Sequence, residues 1–195
     1  HSDKPHDVES YSLALRASDV VAVLDDLGIR ATNYWGYSMG GWIGFGIAKY
    51  AAPRIRSLIL GGAHPYTDAM DVFDHIDGTD EDAFIEAMEA FVDVRITPKS
   101  RSQIVATDLQ ALAAAMNHRH SLESTIPTMT MPCCLYVGTN DRRISKVERC
   151  VKRLPNAQFV PIMGLDHAQT FDHPELILPP IEAFLGALSN TKLPS

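Results

Sequence analysis

Three short stretches of this sequence carry side chains able to do chemistry together. Gly36-Tyr37-Ser38-Met39-Gly40 sets a serine between two glycines, Gly138-Thr139-Asn140-Asp141 ends on a carboxylate, and Gly164-Leu165-Asp166-His167 ends on an imidazole. A serine hydroxyl is a weak nucleophile until a base takes its proton, and the base needs a third group to fix its tautomer and orientation. Ser38, His167 and Asp141 supply those three types, in the order Ser, Asp, His along the chain. Asp166 and Asp172 stand near His167 as alternative carboxylates, and Asn140-Asp141 also reads as an ordinary turn. The glycines have a mechanical reading. A serine exposed on a sharp strand-to-helix turn takes a strained backbone, and small residues two places to either side relieve the crowding.

The flanking sequence supplies elements that position these groups. From Ser12, Leu13, Ala17, Val20, Val21, Leu24 and Leu27 recur with a helical period, and Gly28 stands where a helix ends in left-handed backbone. Residues 31–37 read as a strand and 39–50 as a helix, with Gly40 and Gly44 placed for close packing on a sheet. Further strands are predicted at 56–62, 132–138 and 157–162, and helices at 145–154 and 174–188, the last broken at Pro179-Pro180. Strands alternating with helices imply a parallel sheet covered on both faces, and in such sheets sites form beyond the carboxyl ends of the strands. Ser38, Asp141 and His167 each fall just past such an end.

Between the second and third strands lie about 70 residues, far more than one crossover helix needs. Thr79-Asp80 reads as a capped start ahead of Phe84, Met88 and Phe91, and Thr97-Pro98 starts one helix running through Ile104, Leu109, Leu112 and Met116. Asp68, Asp71, Asp74 and Asp77 read as a solvated face, and His118-Arg119-His120 as a solvated helix end rather than a metal site. His64, after the second strand, reads equally as pocket lining or as a strand exit.

Composition narrows the partners. Against 24 acidic residues stand only 17 basic ones, a formal charge of -7, so phosphate-rich partners find no basic surface, and neither nucleic acid nor membrane is expected. Three cysteines, two of them neighbours at Cys133 and Cys134, form no disulfide framework, which favours a reducing compartment and a cytoplasmic location. They are expected to pack as small apolar residues.

Taken together, Tyr11, Asp19, Leu24-Asp25, Leu27-Gly28-Ile29, the Gly36 to Gly41 turn, the Gly138 to Asp141 turn and Gly164 to His167 resemble the landmarks of the α/β-hydrolase fold superfamily. The likeness is to its esterase-like members with a helical lid, and it covers nearly the whole chain. It implies an α/β fold: a truncated hydrolase core with a mainly parallel sheet of about four strands, formed by residues 1–64 and 127–195, and a lid at 65–126. It further implies Ser38 as nucleophile, His167 as general base and acid, Asp141 as its orienting carboxylate and the backbone N–H of Met39 as an oxyanion donor. Tyr37 and His64 are the candidate substrate-binding residues.

The departure from the family pattern is at the front. The resemblance implies that something like 60 residues, two βαβ units of roughly 30 each, are absent ahead of the helix at residues 12–28, and with them the segment that supplies a second oxyanion donor. Losing one such donor costs on the order of 10² to 10³ in turnover. The expected activity is cofactor-free and metal-free hydrolysis of a small carboxylic ester, lactone or thioester through an acyl-enzyme. Carbon–carbon bond hydrolysis and perhydrolysis use the same triad, and the rival from another class is a weak or inactive fragment that binds or associates. The strand at 31–37 would then expose an edge, so a homo-oligomer or a separate N-terminal fragment is the expected partner.

Overall fold

A computed structural model describes residues 3–67, 71–117 and 119–190. Helix α1 (Leu13–Asp26) leads into strand β1 (Thr32–Tyr37), helix α2 (Met39–Tyr50) and strand β2 (Ile55–Gly61). Three helices follow, α3 (Glu81–Val92), α4 (Pro98–Val105) and α5 (Leu109–Met116). The chain then returns to the sheet through β3 (Cys133–Gly138), α6 (Ile144–Val151), β4 (Ala157–Ile162), α7 (His167–Asp172) and α8 (Pro174–Asn190). The four strands lie in sequence order and every neighbouring pair is parallel, so β1 and β4 form the edges.

The sheet is buried on both faces, and its side chains alternate accordingly. Leu58, Leu60, Cys133, Leu135 and Val137 face a core shared with Leu13, Phe45 and Ile47 of α1 and α2 and with Val147 of α6. Ile59, Cys134 and Tyr136 face the other way, onto Ile177, Ile181 and Phe184 of α8. A third apolar cluster, built on Phe73, Phe84, Phe91, Leu109 and Met116, holds the helices between β2 and β3 together.

Local signals explain most boundaries. Helix α1 closes on a left-handed Gly28 (φ +66°), where the N–H of Ile29 reaches the carbonyl of Leu24 and that of Gly28 the carbonyl of Asp25. This is the double bond of a Schellman end. Asp80, Thr97 and Asp108 cap α3, α4 and α5 by accepting from the backbone N–H three residues on.

Two expectations about the helices are corrected. The helix expected to run from Pro98 through Met116 is two helices, because Asp108 caps a fresh start and the backbone closes α4 at Ala106. No break occurs at Pro179-Pro180. The two prolines remove bonds to the carbonyls of Glu175 and Leu176, both in exposed residues near the start of α8, while Ile177, Ile181 and Phe184 anchor the helix on the sheet. Of the four aspartates read as a solvated face, Asp68 lies outside the described residues; Asp74 and Asp77 are exposed.

The glycines around Ser38 are not equivalent. A Cβ on Gly36 would stand 2.3 Å from the carbonyl oxygen of Gly40, and one on Gly44 2.4 Å from Leu60, whereas a Cβ on Gly40 would meet nothing nearer than 3.9 Å. The expectation that Gly40 is needed for close packing is therefore corrected: Gly36 and Gly44 carry that constraint. Gly40→Ala is expected to leave stability unchanged or raise it by up to about 1 kcal/mol, while Gly36→Ala costs about 1–3 kcal/mol. Urea unfolding of both variants checks this; equal losses would contradict it.

Candidate active site

Each strand of the parallel sheet delivers one piece of the site at its carboxyl end. Ser38 follows β1 directly and has φ 52°, ψ -113°, a left-handed backbone that a non-glycine residue adopts only when its surroundings impose it. Those surroundings are specific. The N–H of Ser38 donates to the carbonyl of Gly61 in β2 (2.8 Å), and its own carbonyl accepts from Trp42 as the first bond of α2 (3.0 Å). Met39 opens α2, so its N–H lies ahead of the helix's own hydrogen-bond ladder.

Asp141 follows β3 and His167 begins α7 after β4. Nδ1 of His167 lies 2.7 Å from Oδ2 of Asp141, and its Nε2 lies 2.9 Å from Oγ of Ser38. The structure therefore brings together three residues that are spread over 129 positions of the sequence. Asp166 is otherwise engaged, since its carboxylate caps α7 in a reciprocal pair with Gln169, and Asp172 is exposed.

The electrostatics follow from burial. The Asp141 side chain has 0% exposure, which alone would raise its carboxyl; the hydrogen bond from His167 and the charges of His167 and Arg143 outweigh this and hold it below the ordinary carboxylate value. An ionised carboxylate only accepts, so Nδ1 of His167 carries the proton and Nε2 is left to accept from the serine hydroxyl. Burial is also the largest influence on His167 and lowers its pKa, with Arg143 adding to that; the hydrogen bond and charge of Asp141 oppose it without reversing it. The imidazole is thus neutral at pH 7, the state a general base requires.

Ser38 opens onto a cavity walled by His64, Tyr66, Phe91, Arg119 and Arg143, with room for little more than one water, about 20 Å³. His64 is buried there, its ring 5.8 Å from that of Tyr66. Tyr37 lies elsewhere. Its ring stacks behind His167, centroids 5.1 Å apart, its hydroxyl donates to the His167 carbonyl (2.6 Å), and it lines a separate groove with Trp35 and Phe171. Its place is thus behind the imidazole rather than in the wall of the Ser38 cavity.

Other residues of the site escaped the sequence reading. Arg119, half-buried, lines the cavity and spans the faces of Trp42 and Phe91 at 5.3 and 5.5 Å, which corrects its assignment to a solvated helix end, while His120 borders the same cavity but is exposed, as expected. His118 lies outside the described residues. Gly62 has φ +58°, and a Cβ there would lie 2.8 Å from the His167 ring, so this glycine makes room for the imidazole. Arg143 holds Asp141; the only signal for it is an arginine two places after the carboxylate.

Comparison with known proteins places the chain. Its residues 1–133 match the model of the alpha/beta hydrolase fold family, and the chain belongs to that family. No curated protein matches it. Among solved structures it is similar to the enol-lactonase of Burkholderia xenovorans (19% identity, TM-score 0.80, covering 95% of this chain and 76% of that one). It is also similar to a thermophilic esterase of Thermogutta terrifontis (22%, 0.78, 91% and 73%) and to MenH of S. aureus (18%, 0.73, 92% and 77%). At these identities the likeness is one of fold.

The cause assigned to the His167 shift has a direct check. A histidine-ring NMR titration is expected to place the His167 midpoint below the ordinary value of about 6.5. In Asp141→Asn the stabilising carboxylate is gone, and the midpoint falls further; a midpoint above 7 in the unaltered protein would contradict the assignment.

Proposed function

We propose that this protein is a serine hydrolase that cleaves a small carboxylic ester, lactone or thioester through an acyl-enzyme. The observation that carries the reading is the pair of hydrogen bonds at 2.7 and 2.9 Å that joins Asp141 to His167 and His167 to Ser38. Oγ of Ser38 attacks the carbonyl carbon as its proton passes to Nε2 of His167, and Asp141 steadies the imidazolium that forms. The carbonyl oxygen becomes an oxyanion beside the N–H of Met39 at the start of α2, where the helix dipole favours negative charge. Collapse expels the alcohol or thiol, which takes the proton from His167. Water then attacks the acyl-serine with the same histidine as base, releasing the acid and restoring Ser38.

Nucleophile, base and orienting group all belong to the chain, so the reaction needs no metal or cofactor. Residues 65–126 act as a lid in this reading. The cavity has room for about one water, so Phe91, Arg119 and His120 must move aside to admit a substrate. The esterase and enol-lactonase among the similar structures are named for ester cleavage, in keeping with the reading. Cys133, Cys134 and Cys150 are buried free thiols, which suits a reducing compartment such as the cytoplasm. No helix among the described residues is long and apolar enough to cross a membrane.

A fluorophosphonate probe tests the proposal. Covalent labelling is expected at Ser38, lost in Ser38→Ala and in His167→Ala, and slowed on the order of 10³ to 10⁴-fold in Asp141→Asn, which holds the imidazole in the wrong tautomer. A folded sample that takes no label would instead support a binding or associating module without hydrolytic activity.

A further inference from the structure

The turn after β3 carries a second buried ion beside the catalytic carboxylate. Arg143 is 4% exposed, and its backbone N–H and Nη1 both donate to Oδ1 of Asp141, at 2.9 and 3.2 Å. Oδ2 is left for His167. The other end of the guanidinium leaves the catalytic pair altogether. Nη2 donates to the carbonyl of Phe91 near the end of α3 (3.3 Å), and the guanidinium carbon stands 5.0 Å from the centroid of the Phe91 ring. Phe91 belongs both to the apolar cluster of the inserted helices and to the wall of the cavity over Ser38. A single side chain thus touches the catalytic carboxylate and the inserted segment at once.

We propose that Arg143 is a positioning residue that ties the state of the inserted helices to the catalytic pair, holding Asp141 in place for His167 only while Phe91 is seated over the site. The inference rests on the serine-hydrolase reading for its consequence in turnover and on the geometry alone for its consequence at His167. A lysine keeps the charge of Arg143 but not the planar fork that reaches Asp141 and Phe91 together. Seating is therefore separable from charge by substitution. Around His167 the charged and titratable groups are Asp141 and Arg143 from the turn after β3, Asp166 from its own turn, and Tyr37 from β1. Only Arg143 among them contacts the inserted helices through a described hydrogen bond.

Charge and seating act on the His167 midpoint with opposite signs. The charge of Arg143 disfavours protonation of His167, whereas an Asp141 loosened from His167 withdraws the hydrogen bond that favours it. Arg143→Lys keeps the charge and loses the seating, so the ring-NMR midpoint of His167 is expected to fall by at least 0.3 units and kcat for a p-nitrophenyl ester to fall tenfold or more with KM changed less than threefold. Arg143→Met loses both, so its midpoint is expected to lie above that of Arg143→Lys while kcat stays low. Phe91→Ala, which keeps the backbone carbonyl but removes the ring, is expected to lower kcat and to move the midpoint in the same direction as Arg143→Lys. Near-UV circular dichroism identifies any variant that has not folded; if Arg143→Met does not fold, the lysine and alanine variants decide.

A His167 midpoint within 0.2 units of the original in Arg143→Lys and Phe91→Ala would overturn the proposal, as would full kcat in Arg143→Lys. Absence of probe labelling in the unaltered protein would overturn the hydrolase reading instead, and the NMR titration would still decide the role of Arg143.

Discussion

A buried negative charge at Asp141 is the constraint on which the rest of the site depends. An ionised carboxylate removed from water is tolerated only if its lone pairs are met by donors and its charge by a nearby cation. Here a backbone N–H and a guanidinium meet one oxygen and an imidazole N–H meets the other. That arrangement fixes the tautomer of His167, and the tautomer decides which nitrogen faces Ser38. In the proposed hydrolase the reactivity of the serine is in this sense set at the far end of a chain of two hydrogen bonds, by the desolvation of a group that never touches it.

The sheet makes such an arrangement affordable. Parallel strands in sequence order bring four successive carboxyl ends to one rim, so short turns suffice to place Ser38, Gly62, Asp141 and His167 around one another. Precision comes from a few steric facts. The left-handed Ser38 persists because its N–H is bonded to Gly61 and its carbonyl begins α2, so the turn is held from both sides. Tyr37 and Gly62 confine the imidazole between a ring and an empty Cβ position. Few of these contacts would survive the shift of a strand register, which would carry alternate side chains to the opposite face.

Much of this was legible in the sequence, for identifiable reasons. Strong local signals mark the elements: the apolar period of α1 ending at Gly28, the short apolar runs of the strands, and the capping residues Asp80 and Thr97. A parallel sheet then forces the residues after those strands to a common rim, so Ser38 and His167 are readable together with a carboxylate, Asp141 being one candidate beside Asp166 and Asp172. Contacts that depend on the third dimension were not readable. Arg143, Arg119 and His120 acquire their places through a wall formed by Phe91, some 30 to 50 residues earlier in the chain. Local rules also misled where packing overrode them: α8 runs through Pro179-Pro180 because its apolar stripe is anchored on the sheet, and Gly40 fits a motif without meeting the steric need the motif implies.

The small size of the cavity bears on how the two halves of the molecule work together. With space for about one water beside Ser38, the geometry described is a tight one, in which the hydrogen bonds joining Ser38, His167 and Asp141 are short and the carboxylate is shielded. In the proposed hydrolase a substrate would first displace part of the wall, and the wall includes the residue that anchors Arg143. Opening therefore costs more than apolar contact. It loosens the cation that offsets the buried charge, raises the local dielectric and lets the imidazole drift toward its ordinary basicity. In that proposed cycle, closure over a bound substrate would restore all three at once. In the proposed hydrolase, a site built this way would keep its imidazole shielded and neutral when sealed and let its basicity rise toward the ordinary value when open, which would link the proton transfer to the fit of the substrate under the inserted helices.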